Sequence, residues 1–387
     1  MPSRLFTKTS AFTKSSAFTK GAFTKGAFTK RPVFTTSSKA KTTVGLEIET
    51  GSIAAAELAG RNGSSTVART AIAPLPPGLV SEGEVRDVEA LAAELKSFFS
   101  KNKLGKSVRL GVANQRVVVR TIRLPLIEDD EELDTAIRFQ AQDHIPMPLD
   151  QAVLDHQVIA REKGPEGERR MDVLAVAARR DMVTSQLGAL HKAGLRPVGI
   201  DLSAFGMIRA LNAGVPDPGQ GSVQTTTLYC HLGDITNLAV ARGGQCHFTR
   251  IAPYGIDEIV TRVAGRLEMP DDEAREWLVD VGLDEPLEDF GEDREEAASA
   301  REALVEGASR LVDELRVSLE FYGAQEGAPP VERVVICGPG STIPGLAERI
   351  QVGLGLGIES LSPAALSHLD AEDAARLTIS YGLALEA

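Results

Sequence analysis

No window of this chain strings together the roughly eighteen apolar residues that a membrane-spanning helix needs. The start of the chain lacks a continuous apolar core and a small-residue cleavage site, so no secretory leader is expected. Cysteine is scarce. Cys230, Cys246 and Cys337 are odd in number and unclustered, which excludes a disulfide framework and reads as free thiols in a reducing compartment. No CxxC or Cys/His spacing marks a metal site. The six histidines, His144, His156, His191, His231, His247 and His368, are scattered and show no nucleophile–base–orienter pattern. Acid is missing from residues 1–42, which hold Arg4, Arg31 and seven lysines. That segment carries +9 within a chain of net charge −12, which leaves −21 for the remainder. A basic tail on an acidic body implies an anionic partner for the tail, or the body itself. No nucleic-acid partner is expected.

The tail is a repeat. Phe-Thr-Lys recurs at Phe6, Phe12, Phe18, Phe23 and Phe28, with Phe-Thr-Thr at Phe34. A spacing of five or six residues fits neither helix nor alternating strand, and one Phe per repeat cannot build a core, so disorder is expected. Tethered weak motifs gain avidity, and Phe beside Lys suits an anionic bilayer surface.

The folded part begins near Thr43. Strands are expected at 44–49, 108–113, 117–120, 121–124, 153–159, 173–177 and 198–201, and helices at 90–100, 128–144, 181–193 and 204–213. Of these, 128–144 is amphipathic with an acidic start, and Leu133, Ala136, Ile137, Ala141 and Ile145 line one face. Residues 161–170 read as a polar turn. The Pro/Gly/Gln/Ser stretch 215–224 reads as a hinge. Strands resume at 227–232, 238–242 and 245–251. Residues 256–322 read as helical and acidic, Asp271-Asp-Glu273 being a solvated face. Another strand is expected at 334–337, then a helix at 345–353 and a strand at 357–361. Alternating strands and helices in two halves give an α/β fold with mixed sheets.

Three glycine-bearing turns recur at strand ends: Gly45-Leu-Glu-Ile-Glu-Thr-Gly-Ser52, His231-Leu-Gly-Asp-Ile-Thr236 and Cys337-Gly-Pro-Gly-Ser341. Hairpin amides and hydroxyls can cradle phosphate, and glycine permits close backbone approach. Each turn alone is weak, because plain tight turns look the same. Their order is more informative. It resembles the two phosphate motifs and the adenosine motif of the actin-like ATPase superfamily. Within that superfamily the chain is similar to the PilM family of type IV pilus assembly proteins, over roughly residues 43–387. The resemblance rests on Ile122-Arg-Leu-Pro125, Phe139 to Ile145-Pro-Met-Pro148, and Asp172-Val-Leu-Ala-Val-Ala-Ala-Arg179. It also rests on Ala193-Gly-Leu-Arg-Pro197, Phe248-Thr-Arg250, Gly255 and Gly338-Pro-Gly-Ser-Thr-Ile-Pro-Gly-Leu346.

The resemblance implies a two-lobed actin-like (ribonuclease H-like) fold: a first lobe over 43–214 with a small subdomain inserted at about 108–180, and a second lobe over 223–370 with a helical part at 256–322. A final helix over 371–387 would return to the first lobe. It implies ATP or ADP with Mg²⁺ in the cleft, held by Thr50, Gly51, Ser52, Gly233, Asp234, Thr236, Gly255, Gly338, Gly340 and Ser341, with Glu47 holding the ion through water. It implies a cytoplasmic scaffold at the inner face of the cell membrane. The scaffold would bind the N-terminal segment of a PilN-like protein and face the motor ATPase of the machine, with nucleotide setting the lobe angle. Phe139, Ile145 and Met147 are the expected apolar contacts, with core packing the alternative for Phe139. Anionic lipid is the expected ligand of residues 1–42, with fold-back onto 271–302 the alternative.

Departures from the family pattern fall in the hairpins. Glu47, Glu49 and Ala54 stand where the family usually has Asp, Gly and Lys, and His231 opens the second hairpin in place of Asp. A carboxylate beside a terminal phosphate repels it unless screened. At most a very weak ATPase is expected, and a nucleotide-free pseudo-ATPase scaffold is the principal alternative. A sugar- or acetate-kinase-like phosphotransferase would need a catalytic carboxylate facing the transferred phosphate. A division protein of the FtsA kind would need a C-terminal amphipathic membrane helix.

Overall fold

The computed structural model describes residues 42–61, 64–163, 167–213, 224–325 and 327–385. The Phe-Thr-Lys repeat and nearly all of the expected hinge at 215–224 lie outside the described residues. Among the described residues no helix is long and apolar enough to cross a membrane.

The chain opens on β1 (Thr43–Ile48), β2 (Ser52–Arg61) and β3 (Ser64–Pro74), an antiparallel meander. A two-residue hairpin, β4 (Val80–Ser81) with β5 (Glu84–Val85), leads to α1 (Val88–Lys101), which Asp87 caps by accepting from Glu89 and Ala90 N–H. β6 (Ser107–Val112) lies parallel to β1. Next come β7 (Val117–Pro125), α2 (Asp130–His144), β8 (Ala152–Lys163) and β9 (Arg169–Arg179). Then α3 (Arg180–Lys192), β10 (Arg196–Leu202) and α4 (Ser203–Asn212) complete this half.

The first sheet runs β10-β6-β1-β2-β3. β7, β9 and β8 form a separate three-stranded sheet with α2 on one face. β6 was expected inside the inserted subdomain. It pairs instead with β1 and β10, and the separate sheet begins only at β7. The expected polar turn at 161–170 is shorter than the spacing indicated, because β8 and β9 pair out to Lys163 and Arg169.

β2 and β3 carry no clear strand signal. Ala54, Ala55 and Ala56 favour helix by propensity. They sit in β2 because the face holding Ala54 and Ala56 lies under the C-terminal helices, packed with Leu366, Leu377 and Tyr381, where larger side chains would not fit.

The second half repeats the plan. β11 (Thr226–Leu232), β12 (Thr236–Arg242) and β13 (Gln245–Ala252) form an antiparallel meander. α5 (Ile256–Leu267), α6 (Asp271–Val281) and the thirty-residue α7 (Arg294–Gly323) follow. β14 (Arg333–Cys337), α8 (Leu346–Leu354) and β15 (Gly357–Ser360) close the sheet, ordered β13-β12-β11-β14-β15. The two five-stranded sheets therefore share one topology: a meander, then two parallel strands beside its first member.

One long terminal helix was expected. The structure has two, α9 (Ala371–Arg376) and α10 (Thr378–Ala384), broken at Leu377. α9 packs on the turn Pro339–Thr342 of the second half, whereas α10 packs on α4, β1 and β2 of the first. α10 reaches the first sheet through glycine. At Gly45 a Cβ would strike the Ser380 carbonyl, and at Gly382 the Gly206 carbonyl. Two buried guanidiniums hold its end. Arg109 donates to the carbonyls of Leu383 (3.0 Å) and Leu385 (2.7 Å), and Arg209 donates to Gly382 (3.0 Å).

Candidate functional site: a cleft between two hairpins

Because the sheets share one topology, the loops after β1 and β11 are equivalent hairpins, and they meet across a cleft of about 470 Å³, open solvent included. Strand alternation puts Glu47 and Glu49 on one side of the first hairpin. Antiparallel register sets His231 of β11 opposite Asn237 of β12, so their side chains share a face. Glu47, Glu49, Thr50, His231, Asp234 and Asn237 all line the cleft.

The hairpins touch. The Gly51 N–H donates to Asp234 Oδ2 at 2.9 Å, and the Ser52 hydroxyl donates to Glu49 Oε2 at 3.3 Å. Asp234 thus occupies the amide expected to meet a phosphate. Among the described residues no Lys or Arg lines this cleft.

Three carboxyls crowded together shift their titration. Burial, then the charges of Asp234 and Asp257, push Glu49 up to about 8, with Arg376 and the Ser52 hydroxyl opposing. Burial, then the charges of Glu49 and Asp234, raise Glu47 well above the usual carboxylate range. Asp234 rises to about 6 through burial and Asp257, partly offset by the Gly51 N–H. Burial lowers His231 to about 4, so the imidazole is neutral at pH 7.

The third turn stands apart. Gly338 has φ +83°, and a Cβ there would meet the His231 ring at 2.7 Å. Ser341 turns its hydroxyl back to the Gly338 carbonyl at 2.7 Å. This turn borders a separate crevice lined by Arg275, Leu278, Glu372 and Arg376.

Several expected roles change. A Cβ on Gly340 would lie 2.6 Å from Ile256 Cδ1 and 2.7 Å from Leu232 Cβ, so glycine is needed there for close packing on the second-half core. Thr236 is fully buried and donates to the Tyr254 carbonyl at 2.7 Å, which leaves no hydroxyl for a phosphate. Gly255 lies against the Asp234 backbone, and its N–H donates to Glu258 at 2.8 Å at the start of α5. Gly233 lies against Glu49 and His231. Ile145, expected as a partner contact, is buried with Leu133, Ile137 and Ala141 because the chain turns inward as α2 ends. Met147 is half-buried against the same core, and Phe139 is 66% exposed.

Sequence reasoning missed Asn237, Asp257, Arg275 and Arg376. Asn237 was findable once the β11–β12 register was known. The others sit on helices whose approach to the cleft only the tertiary structure reveals.

Two sheets of one topology, with paired hairpins facing across a cleft, define the two-lobed actin-like fold. The family model described as Type IV pilus assembly protein PilM matches residues 45–387, and this chain belongs to that family. The solved structure of a PilM-PilN type IV pilus biogenesis complex is similar at 27% identity and TM-score 0.71, covering 88% of this chain and 97% of that one. Ethanolamine utilization protein EutJ from Carboxydothermus hydrogenoformans matches at 15% identity and TM-score 0.50, over 90% of each chain. MreB5 of Spiroplasma citri bound to ADP matches at 13% and 0.50, over 88% of this chain and 94% of that one. These last two share the fold.

Proposed function

We propose that this protein is a scaffold of type IV pilus assembly that holds the cytoplasmic N-terminal segment of a PilN-like inner-membrane protein at the inner face of the membrane, beside the motor ATPase. Residues 43–214 and 223–370 are the two lobes in this reading, and the β7-β9-β8 subdomain presents the partner surface. Similarity to a PilM-PilN complex supports it. The observation that carries it is Phe139. Its ring is 66% exposed on the outer side of α2, while Leu133, Ile137 and Ala141 pack inward. An exposed aromatic on the helix that runs into the Pro146-Met147-Pro148 turn suits an extended apolar peptide.

Phe139→Asp should weaken capture of a PilN-like N-terminal peptide at least about tenfold, as loss of an aromatic anchor does. Its melting temperature should stay within about 1 °C of wild type, since exposed substitutions cost little. Unchanged peptide affinity would move the partner surface elsewhere. Residues 1–42 would add an anionic-lipid contact, each lysine contributing about 1 kcal/mol near the surface.

A second reading, a scaffold that works without nucleotide, is favoured by the Gly51–Asp234 hydrogen bond and by a cleft lining that is acidic and holds no Lys or Arg among the described residues. ATP would have to displace that bond and place its phosphates beside Glu47, Glu49 and Asp234. Calorimetry with Mg-ATP to millimolar ligand should show no saturable binding by wild type. Glu49→Gly should bring binding within range, ATP gaining about 1 kcal/mol more than ADP. Saturation by the wild type would restore a nucleotide-dependent scaffold.

A further inference from the structure

We propose that Glu47, Glu49 and His231 form a site for a divalent transition-metal ion, bound by the protein alone and joining the two hairpins without nucleotide. One ligand atom from each of these residues lies within 4.8 Å of the other two. Donors around a four-coordinate ion at about 2.1 Å sit roughly 3.4 Å apart, so modest side-chain rotations would close the set.

A second observation is independent of the carboxylates. Both amide atoms of Asn237, the cross-strand neighbour of His231 in the cleft wall, are buried without a hydrogen-bond partner. Both residues are 2% exposed. Buried polar atoms are ordinarily satisfied. Asn237 stands where it can meet a water on the ion's remaining position.

The donor chemistry selects the ion. Two carboxylates and one neutral imidazole suit Zn²⁺, Mn²⁺ or Co²⁺. Mg²⁺ prefers oxygen alone in near-ideal octahedral geometry and gains little from His231. Two carboxylates balance the charge of the ion and leave Asp234 free to keep the Gly51 N–H. Ligands from β1 and β11 would then tie the lobes through one centre. The site depends neither on PilN-like partners nor on nucleotide.

The test is calorimetric titration of EDTA-stripped full-length protein with ZnCl₂, repeated with CoCl₂ while recording the visible spectrum. The expected result is one tight equivalent, a Co²⁺ spectrum with no sulfur charge-transfer band, and proton release visible as a buffer-dependent enthalpy. Glu49→Gln should lower Zn²⁺ affinity at least about tenfold, and His231→Gln by a similar or larger factor. His191→Gln, altering an exposed histidine on α3, should leave it unchanged. If His231→Gln does not fold, Glu49→Gln at the half-buried rim decides alone. Absence of a saturable equivalent, unchanged affinity in Glu49→Gln, or equal competition by Mg²⁺ would overturn the site.

Discussion

Gly382→Val should melt about 10 °C below wild type. The prediction rests on contact distance. A Cβ at Gly382 would run into the Gly206 carbonyl and come within 3.0 Å of Ala210 Cβ, and Val adds two methyls beyond that. Neither α4 nor α10 can retreat. α4 is buried along most of its length, and α10 lies with Gly45 against Ser380 and Leu383 on its other side. Overpacking of this kind costs about 3 kcal/mol or more, and each kcal/mol lowers the melting temperature by roughly 2–4 °C at this lobe size. A thermal-shift profile within about 1 °C of wild type would show that α10 is free to slide.

The second large effect concerns a buried ion pair. Arg209 and Asp201 meet at 2.5 Å with side chains 6% and 3% exposed. Burial raises Asp201 despite the attraction of Arg209, which measures how poorly solvated the carboxyl is. Arg209→Ala removes the counter-charge and also the donor to the Gly382 carbonyl. Breaking one side of such a pair costs about 3–5 kcal/mol, because a buried charge loses its direct partner. Denaturant unfolding should show that loss. Asp201→Asn combined with Arg209→Met should recover much of it, since a neutral pair carries no unpaired charge. A double variant as unstable as Arg209→Ala alone would mean that the Gly382 contact, not the charge, dominates.

The α/β class and most elements were legible because burial imprints period and punctuation. α1, α2 and α3 show clear apolar faces, and Gly194, at φ +75°, ends α3 where expected. β2 escaped because its Ala-rich composition answers to helices more than three hundred residues away. The break at Leu377 has no local signal, since only the packing of α9 and α10 on different halves explains it. At the site, the order of the three turns was readable. The Gly51–Asp234 bond was not, because it spans 183 residues. Gly340 and Thr236 were assigned to ligand on motif position, although their environments are interior.

The placement of α10 has a consequence for biosynthesis. The first sheet is made well before the helix that covers Ala54 and Ala56, which follows more than three hundred residues later. Until then the nascent first lobe exposes an apolar sheet face and two arginines, Arg109 and Arg209, without the carbonyls they hold in the finished protein. Domains generally fold as units during synthesis, in order from the N-terminus. Here the order is reversed in part: the second sheet is synthesised in full while the first still waits for α10. Contacts of such long range also slow folding, which leaves the half-built lobe exposed to chaperones for most of its synthesis.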